Sequence, residues 1–100
     1  MNEKVKLAGG LEKTVTWVWL ENGQLKVEYY DFSEDAQRMF GNDIAYTITV
    51  RDMAKLFVTV SKDESTLIPW AVEYFKSYFG IKQWLEGNNI EFTVEIESHA

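Results

Sequence analysis

The dipeptide Asn22-Gly23 separates two segments rich in β-branched and aromatic residues, and it restricts the possible folds more than any other feature of the sequence. These segments are Thr14–Leu20 and Leu25–Tyr30. Both turn residues tolerate the positive φ angles of a type I′ turn, so the sequence predicts a tight antiparallel hairpin. A two-residue turn also sets the register of the two strands.

This register gives the hairpin a mostly apolar face, expected to lie against the core, and a mixed face that carries two tryptophans. The directly opposite pairs on the mixed face are Trp17 with Glu28, Trp19 with Lys26, and Val15 with Tyr30.

Trp17, Trp19 and Tyr30, with Lys26 and Glu28 beside them, therefore point away from the predicted core, and three explanations are open. A longer loop would slip one strand by one residue and turn its side chains over. A short segment, either residues 1–12 or the helix after position 52, could cover this face. Alternatively, the five residues form an interface, most economically that of a homodimer, because large exposed apolar patches usually mark interaction sites.

Other segments predict short helices and further strands. Ser33 is a predicted N-cap for a helix that ends at Gly41, and Asp52 is a predicted N-cap for a second helix. Alternation of apolar and polar residues predicts a strand over Ile44–Val50, and Val5–Leu7 predicts another, with a turn at residues 9–10.

The most regular helical pattern follows Thr66, its predicted N-cap, and continues to Phe79. Gly80 is predicted to end or kink this helix, with a further turn or two before Gly87. The apolar stripe, expected to be a core face, consists of Leu67, Trp70, Ala71, Tyr74, Phe75, Tyr78 and Phe79.

The last segment alternates without a break, which predicts a strand with one buried and one exposed face. Because alternation is typical of antiparallel strands with one wet face, we expect an α+β fold. Its architecture is one twisted antiparallel sheet of four to five strands, with three to four helices mainly on one face, in a single domain covering residues 1–100. Within the last strand, Ile90, Phe92, Val94 and Ile96 are predicted to be buried, and Glu91, Glu95 and Glu97 exposed.

Several kinds of chemistry are poorly represented in the sequence. It contains no cysteine, and its one histidine, His99, is next to the C-terminus, so we predict no catalytic, cofactor-binding or metal site. Asp31, Ser33 and Asp35 have the spacing that opens a calcium loop, but position 36 is not glycine and position 42 is not glutamate. A capped, acidic helix start explains these three residues without a metal.

The formal net charge of −6 argues against a nucleic-acid-binding protein, which needs a basic surface. No apolar run approaches the length of a membrane span, and with neither cysteine nor an export signal we expect a cytoplasmic protein without a membrane or nucleic-acid partner.

The sequence thus favours a small, acidic, non-catalytic module that binds another protein or itself. One alternative is a small-molecule binder or small enzyme with an aromatic pocket between the sheet and the long helix. A weaker alternative is an acidic inhibitor that mimics nucleic acid, suggested by the glutamates of the last strand.

Overall fold

A computed structural model describes residues 4–7, 13–33, 38 and 43–99. The predicted helix over residues 33–41 and the predicted turn at residues 9–10 fall mostly or wholly outside these ranges. The elements, in chain order, are β1 (Val5–Lys6), β2 (Thr14–Glu21), β3 (Gln24–Asp31), β4 (Asp43–Val50), α1 (Met53–Val60), α2 (Leu67–Tyr74), α3 (Tyr78–Gly87) and β5 (Phe92–His99).

The five strands form one antiparallel sheet in the order β1-β2-β3-β4-β5, so each strand pairs with its neighbour in the sequence. Asn22 and Gly23 have φ angles of 53° and 76°, as a type I′ turn requires. The predicted hairpin register is confirmed, with Leu20 opposite Leu25 and Trp17 opposite Glu28. A slipped register is therefore not the reason why the tryptophans share the mixed face.

The described helices pack on one face of the sheet, which confirms the predicted α+β class. α2 lies over β1 and β2, and α3 lies over β3. None of these helices is both long and apolar enough to cross a membrane, as judged over the described part of the chain. Residues of the core that are almost completely inaccessible include Leu7, Val18, Val27, Ile48, Val50, Leu56, Leu67, Ile81, Leu85 and Ile90.

The first described helix begins where the sequence predicts it. The Asp52 carboxylate accepts a hydrogen bond from the Lys55 amide at 3.1 Å, and this bond satisfies an amide that the helix cannot pair internally. Leu56 is the buried residue of α1, and Ser61 ends the helix in a left-handed conformation.

The predicted continuous helix over residues 67–79 is wrong, because the chain leaves the helical conformation at Phe75. Ser77 begins a new helix, and its hydroxyl accepts a hydrogen bond from the Gly80 amide at 3.0 Å. Gly80 therefore lies inside the first turn of α3 instead of ending a helix. A Cβ at this position would lie 3.2 Å from the Ser77 hydroxyl, so glycine gives the capping group room.

The prediction that the whole apolar row of the last strand is buried is also wrong. Ile90 is buried and Phe92 is half-buried, but Val94 is 37% exposed and Ile96 is 63% exposed. β5 is the last strand of the sheet, and the helix layer is centred on β1, β2 and β3. The alternation thus predicted which side chains share a face, but whether a face is covered depends on the helices.

Candidate functional site

The five predicted interface residues lie together on the sheet face opposite the helices, which we call the outer face. Trp17 and Trp19 are on β2, and they lie directly opposite Glu28 and Lys26 on β3. Tyr30 follows on β3, directly opposite Ala45 of β4. The structure therefore brings together the residues that the sequence grouped.

The outer face is partly covered by the side chain of Lys4, which precedes the edge strand β1. Trp19 is only 7% exposed. The Lys4 ammonium lies 4.3 Å from the centroid of the Trp19 ring and 3.7 Å from a carboxylate oxygen of Glu28. The Trp19 indole N–H donates to Glu21 at 3.2 Å. Lys4 belongs to residues 1–12, so its contact with the ring agrees with coverage by that segment, one of the three explanations above.

The other side chains of the outer face are also less exposed to solvent than those of a fully solvated sheet face. Trp17 and Tyr30 are half-buried, and Ala45 and Thr49 are buried. The Lys26 ammonium donates to the Thr49 hydroxyl at 2.9 Å, which holds the stem of the lysine across the sheet. Self-association through this face stays a prediction, with Trp17 and Tyr30 as its half-buried aromatic side chains.

A second candidate site lies on the helix side, where the edge of the sheet passes beneath α3. It is an open groove of about 240 Å³. Phe79, on the wall that α3 contributes, is 48% exposed although the helical pattern predicted it to be a core residue. The groove is lined by Tyr46, Tyr78, Phe79, Lys82, Val94 and Ile96.

Aromatic contacts fix the inner wall of the groove. The Tyr29 ring lies 5.1 Å from Phe79 and 5.5 Å from Tyr78, and it stacks on Tyr46 at 6.0 Å, measured between centroids. Tyr78 and Phe79 meet edge to face at 5.2 Å. Aromatic pairs at these distances and angles are favourable, so they stabilise the inner wall of the groove.

The phenol of Tyr78 is the most strongly perturbed titratable group at the groove. Burial, and secondarily the neighbouring Tyr46, raises the pKa of Tyr78 from an ordinary value of 10.0 to about 12. Burial and the nearby Asp31 carboxylate also raise the pKa of Tyr29. Both phenols are therefore kept neutral in the folded chain.

This shift predicts a loss of stability in alkali. Because the unfolded chain ionises Tyr78 near pH 10 while the folded chain resists ionisation until about pH 12, the stabilisation is complete below pH 10 and is lost as the pH rises toward 12. Urea denaturation between pH 8 and pH 11.5 should show the decline. Tyr78→Phe, which cannot ionise, should show a smaller decline, and equal slopes for the two proteins would contradict the assignment.

The residues considered for metal chemistry do not form a cluster. The carboxylate of Asp31 accepts a hydrogen bond from the Ser33 amide at 2.9 Å, as in an ordinary turn, and Asp35 lies outside the described residues. The backbone of His99 pairs with Asp43 at the end of β5. Within the described ranges, no three histidine, aspartate or glutamate side chains come close enough to share a metal ion.

Sequence reasoning raised an aromatic pocket between the sheet and the long helix as an alternative, but it assigned Val94, Ile96 and Phe79 to the core and so did not identify them as lining residues of the groove. β5 lies at the edge of the sheet although three helices separate it from β4 in the chain, and the sequence pattern does not show that position. The exposure of Phe79 depends on the break at Phe75, which redirects α3, and the helical periodicity does not reveal that break.

Comparison with protein-family models, with curated proteins and with solved structures returned no match for this chain. The outer face and the groove are therefore the two features of the molecule from which its function can be inferred.

Proposed function

We propose that the chain is a small acidic, non-catalytic protein-binding module whose binding surface is the free edge of β5 and the groove beside it. The observation that supports this most is the exposure of Val94 and Ile96 on an edge strand. Among the described residues, no strand pairs with the outer side of β5, and extended peptides bind such edges by adding a strand.

The groove complements this edge. In strand addition the backbone provides affinity, and pockets for alternate side chains provide specificity. Val94 and Ile96 form one side of the groove and Phe79 forms the other. Covering a fully exposed isoleucine stabilises a complex by roughly 1.5–3 kcal/mol, so the exposed part of Ile96 offers about 1–2 kcal/mol.

A selection of random, displayed heptapeptides would test this proposal. We expect selected peptides to shift the amide NMR signals of Thr93–Glu97. Ile96→Lys should reduce their affinity at least about tenfold, which corresponds to the lost apolar contact. The matched control is Val58→Lys, because Val58 is a 78% exposed apolar residue on α1, and this variant should bind normally.

Two results would contradict the proposal. One is a set of peptides that bind equally well to wild type and Ile96→Lys. The other is a set whose amide shifts map to Trp17 and its neighbours instead of β5. Circular dichroism of each variant would show that the fold is retained, as expected for changes at exposed positions.

The outer face is the second surface for the same function, and its expected partner is a second copy of the chain. Trp17 and Tyr30 could anchor such a homodimer, with Lys26 and Glu28 providing polar contacts around them. Light scattering at micromolar concentration tests it. A monomeric wild type would contradict the homodimer proposal. A wild-type dimer that dissociates when Trp17 is changed to threonine would support it.

Small-molecule binding is a second candidate function, and one observation favours it. The groove lies between the sheet and α3, and its lining combines apolar side chains with Lys82 and two tyrosines. Its volume of about 240 Å³ is below the ~300–1,000 Å³ typical of ligand sites. Saturable one-to-one binding of anilinonaphthalene sulfonate, an apolar anion, that is lost in Lys82→Glu would support this candidate over peptide binding.

The remaining expectations have less support. Glu91, Glu95 and Glu97 are exposed, as a mimic of nucleic acid requires. However, alternate residues of a strand are about 7 Å apart, whereas duplex DNA carries about one charge per 1.7 Å of its axis. The charges of this strand are therefore much more widely spaced than those of DNA. Absence of salt-sensitive binding to a basic DNA-binding protein would end that alternative. A cytoplasmic location, expected from the cysteine-free sequence, stays part of the proposal and could be tested by fractionation.

A further inference from the structure

β5 presents two different rows of side chains to any strand that pairs with its free edge. Val94 and Ile96 point to the helix side, next to the groove, and Thr93, Glu95 and Glu97 point to the outer face. All five residues are exposed. In a sheet, directly opposite residues on neighbouring strands share a face and interact, so the two rows select for different residues in the added strand.

The outer row is acidic, and the residue directly opposite Glu95 within the sheet is Thr47, which carries no charge. A lysine or arginine on an added strand would therefore bring the first basic side chain directly opposite Glu95, and opposite-charge pairs in this position are stabilising.

The helix-side row has the reverse preference. Val94 and Ile96 favour apolar side chains, and Lys82 lines the same groove. A basic residue inserted there would lose hydration and meet a like charge. The added strand should therefore place apolar residues toward the groove and basic residues toward the outer face.

A second copy of β5 does not meet these requirements. Antiparallel pairing centred on Glu95 places Glu95 opposite Glu95 of the other copy. Pairing centred on Ile96 places Glu95 opposite Glu97 twice. Like charges directly opposite each other destabilise a sheet, so the acidic row opposes self-pairing at this edge.

We infer that β5 accepts, as a sixth strand, an extended segment of another protein in which apolar residues alternate with lysine or arginine. This inference depends on the protein-binding function proposed above, and it specifies the partner of that site. Its basis is the charge complementarity of the outer row together with the apolar row at the groove.

Four synthetic heptapeptides with blocked ends provide the test. One alternates valine with lysine, and two matched peptides carry threonine or glutamate in place of lysine. The fourth has the composition of the first but groups its lysines and valines in two blocks. Titration calorimetry at low salt should give an affinity for the alternating lysine peptide about 3- to 10-fold above the threonine peptide, with the glutamate and block peptides weakest.

Charge reversal on the protein makes the test specific. Glu95→Lys should invert the order, so that the glutamate peptide binds more tightly than the lysine peptide. Glu73→Lys is the control, because Glu73 is an exposed glutamate on α2, away from the β5 edge, and the variant has the same net charge. This control should keep the wild-type order of affinities.

Different failures have different meanings. Equal affinity for the lysine and threonine peptides would overturn the basic partner and leave the protein-binding function intact. If Glu95→Lys still bound the lysine peptide more tightly than the glutamate peptide, the preference would come from the overall charge of the chain. That result would overturn the assignment of the binding site to β5. Absence of any amide shift at Thr93–Glu97 with all four peptides would remove the proposed function as well. If the wild type formed a dimer that dissociated in Ile96→Lys, the partner at β5 would be a second copy of the chain and not a basic segment of another protein.

Discussion

Trp19→Thr is expected to lower the free energy of unfolding by about 3–5 kcal/mol, the usual cost of deleting a large buried aromatic ring. The ring is 7% exposed, the Lys4 ammonium lies over it, and its N–H is hydrogen-bonded to Glu21. Threonine keeps the β propensity of the position. The loss of free energy of unfolding would therefore come from the missing ring and not from a weakened strand. Urea denaturation of wild type and variant would measure it.

Trp17→Thr is the matched comparison, because Trp17 lies on the same face but is only half-buried. A smaller loss of stability is expected for this variant, which makes it the better probe of self-association. A loss below about 1 kcal/mol for Trp19→Thr, in a wild type that is dimeric, would show that the Trp19 ring belongs to an interface. A monomeric wild type with the expected loss would show that this ring is core.

These two tryptophans illustrate what the hairpin pattern could predict. The Asn22-Gly23 turn dictated the register residue by residue, and the structure reproduces it, because a two-residue turn leaves one pairing between the strands. The printed contact over Trp19 is made by Lys4, which precedes β1, a strand of two residues. Such a short strand has a weak sequence signal, so the pattern could raise coverage of the face as one explanation but could not select it over the others.

The groove was harder to predict for two physical reasons. Alternation along β5 reports the two faces of a strand, but the same pattern occurs in covered and uncovered strands. The helical stripe continues through Phe75 although the helix does not, because the Ser77 cap competes locally with helix continuation. Tertiary packing therefore decides which aromatic side chains line the surface.

Two adjacent aromatic residues of α3 differ sharply in their environment. Tyr78 is 2% exposed, whereas Phe79 is half exposed at the mouth of the groove. Both rings contact Tyr29. The two side chains therefore share this partner and differ in how much of each ring is exposed to water. This pair allows the core to be separated from the proposed binding surface within one turn of one helix.

Tyr78→Ala is expected to lower the free energy of unfolding by about 3–5 kcal/mol, because it leaves a cavity beneath α3 that the sheet cannot fill. Phe79→Ala should cost less, at most about 1.5 kcal/mol, since roughly half of its ring already contacts water. The expected order reverses for binding: Phe79→Ala removes a wall of the groove and should weaken peptide binding in a chain that stays folded. Urea denaturation and calorimetry on the same two variants would measure both effects. Similar losses of stability would place Phe79 in the core, and the groove would then have a structural role only.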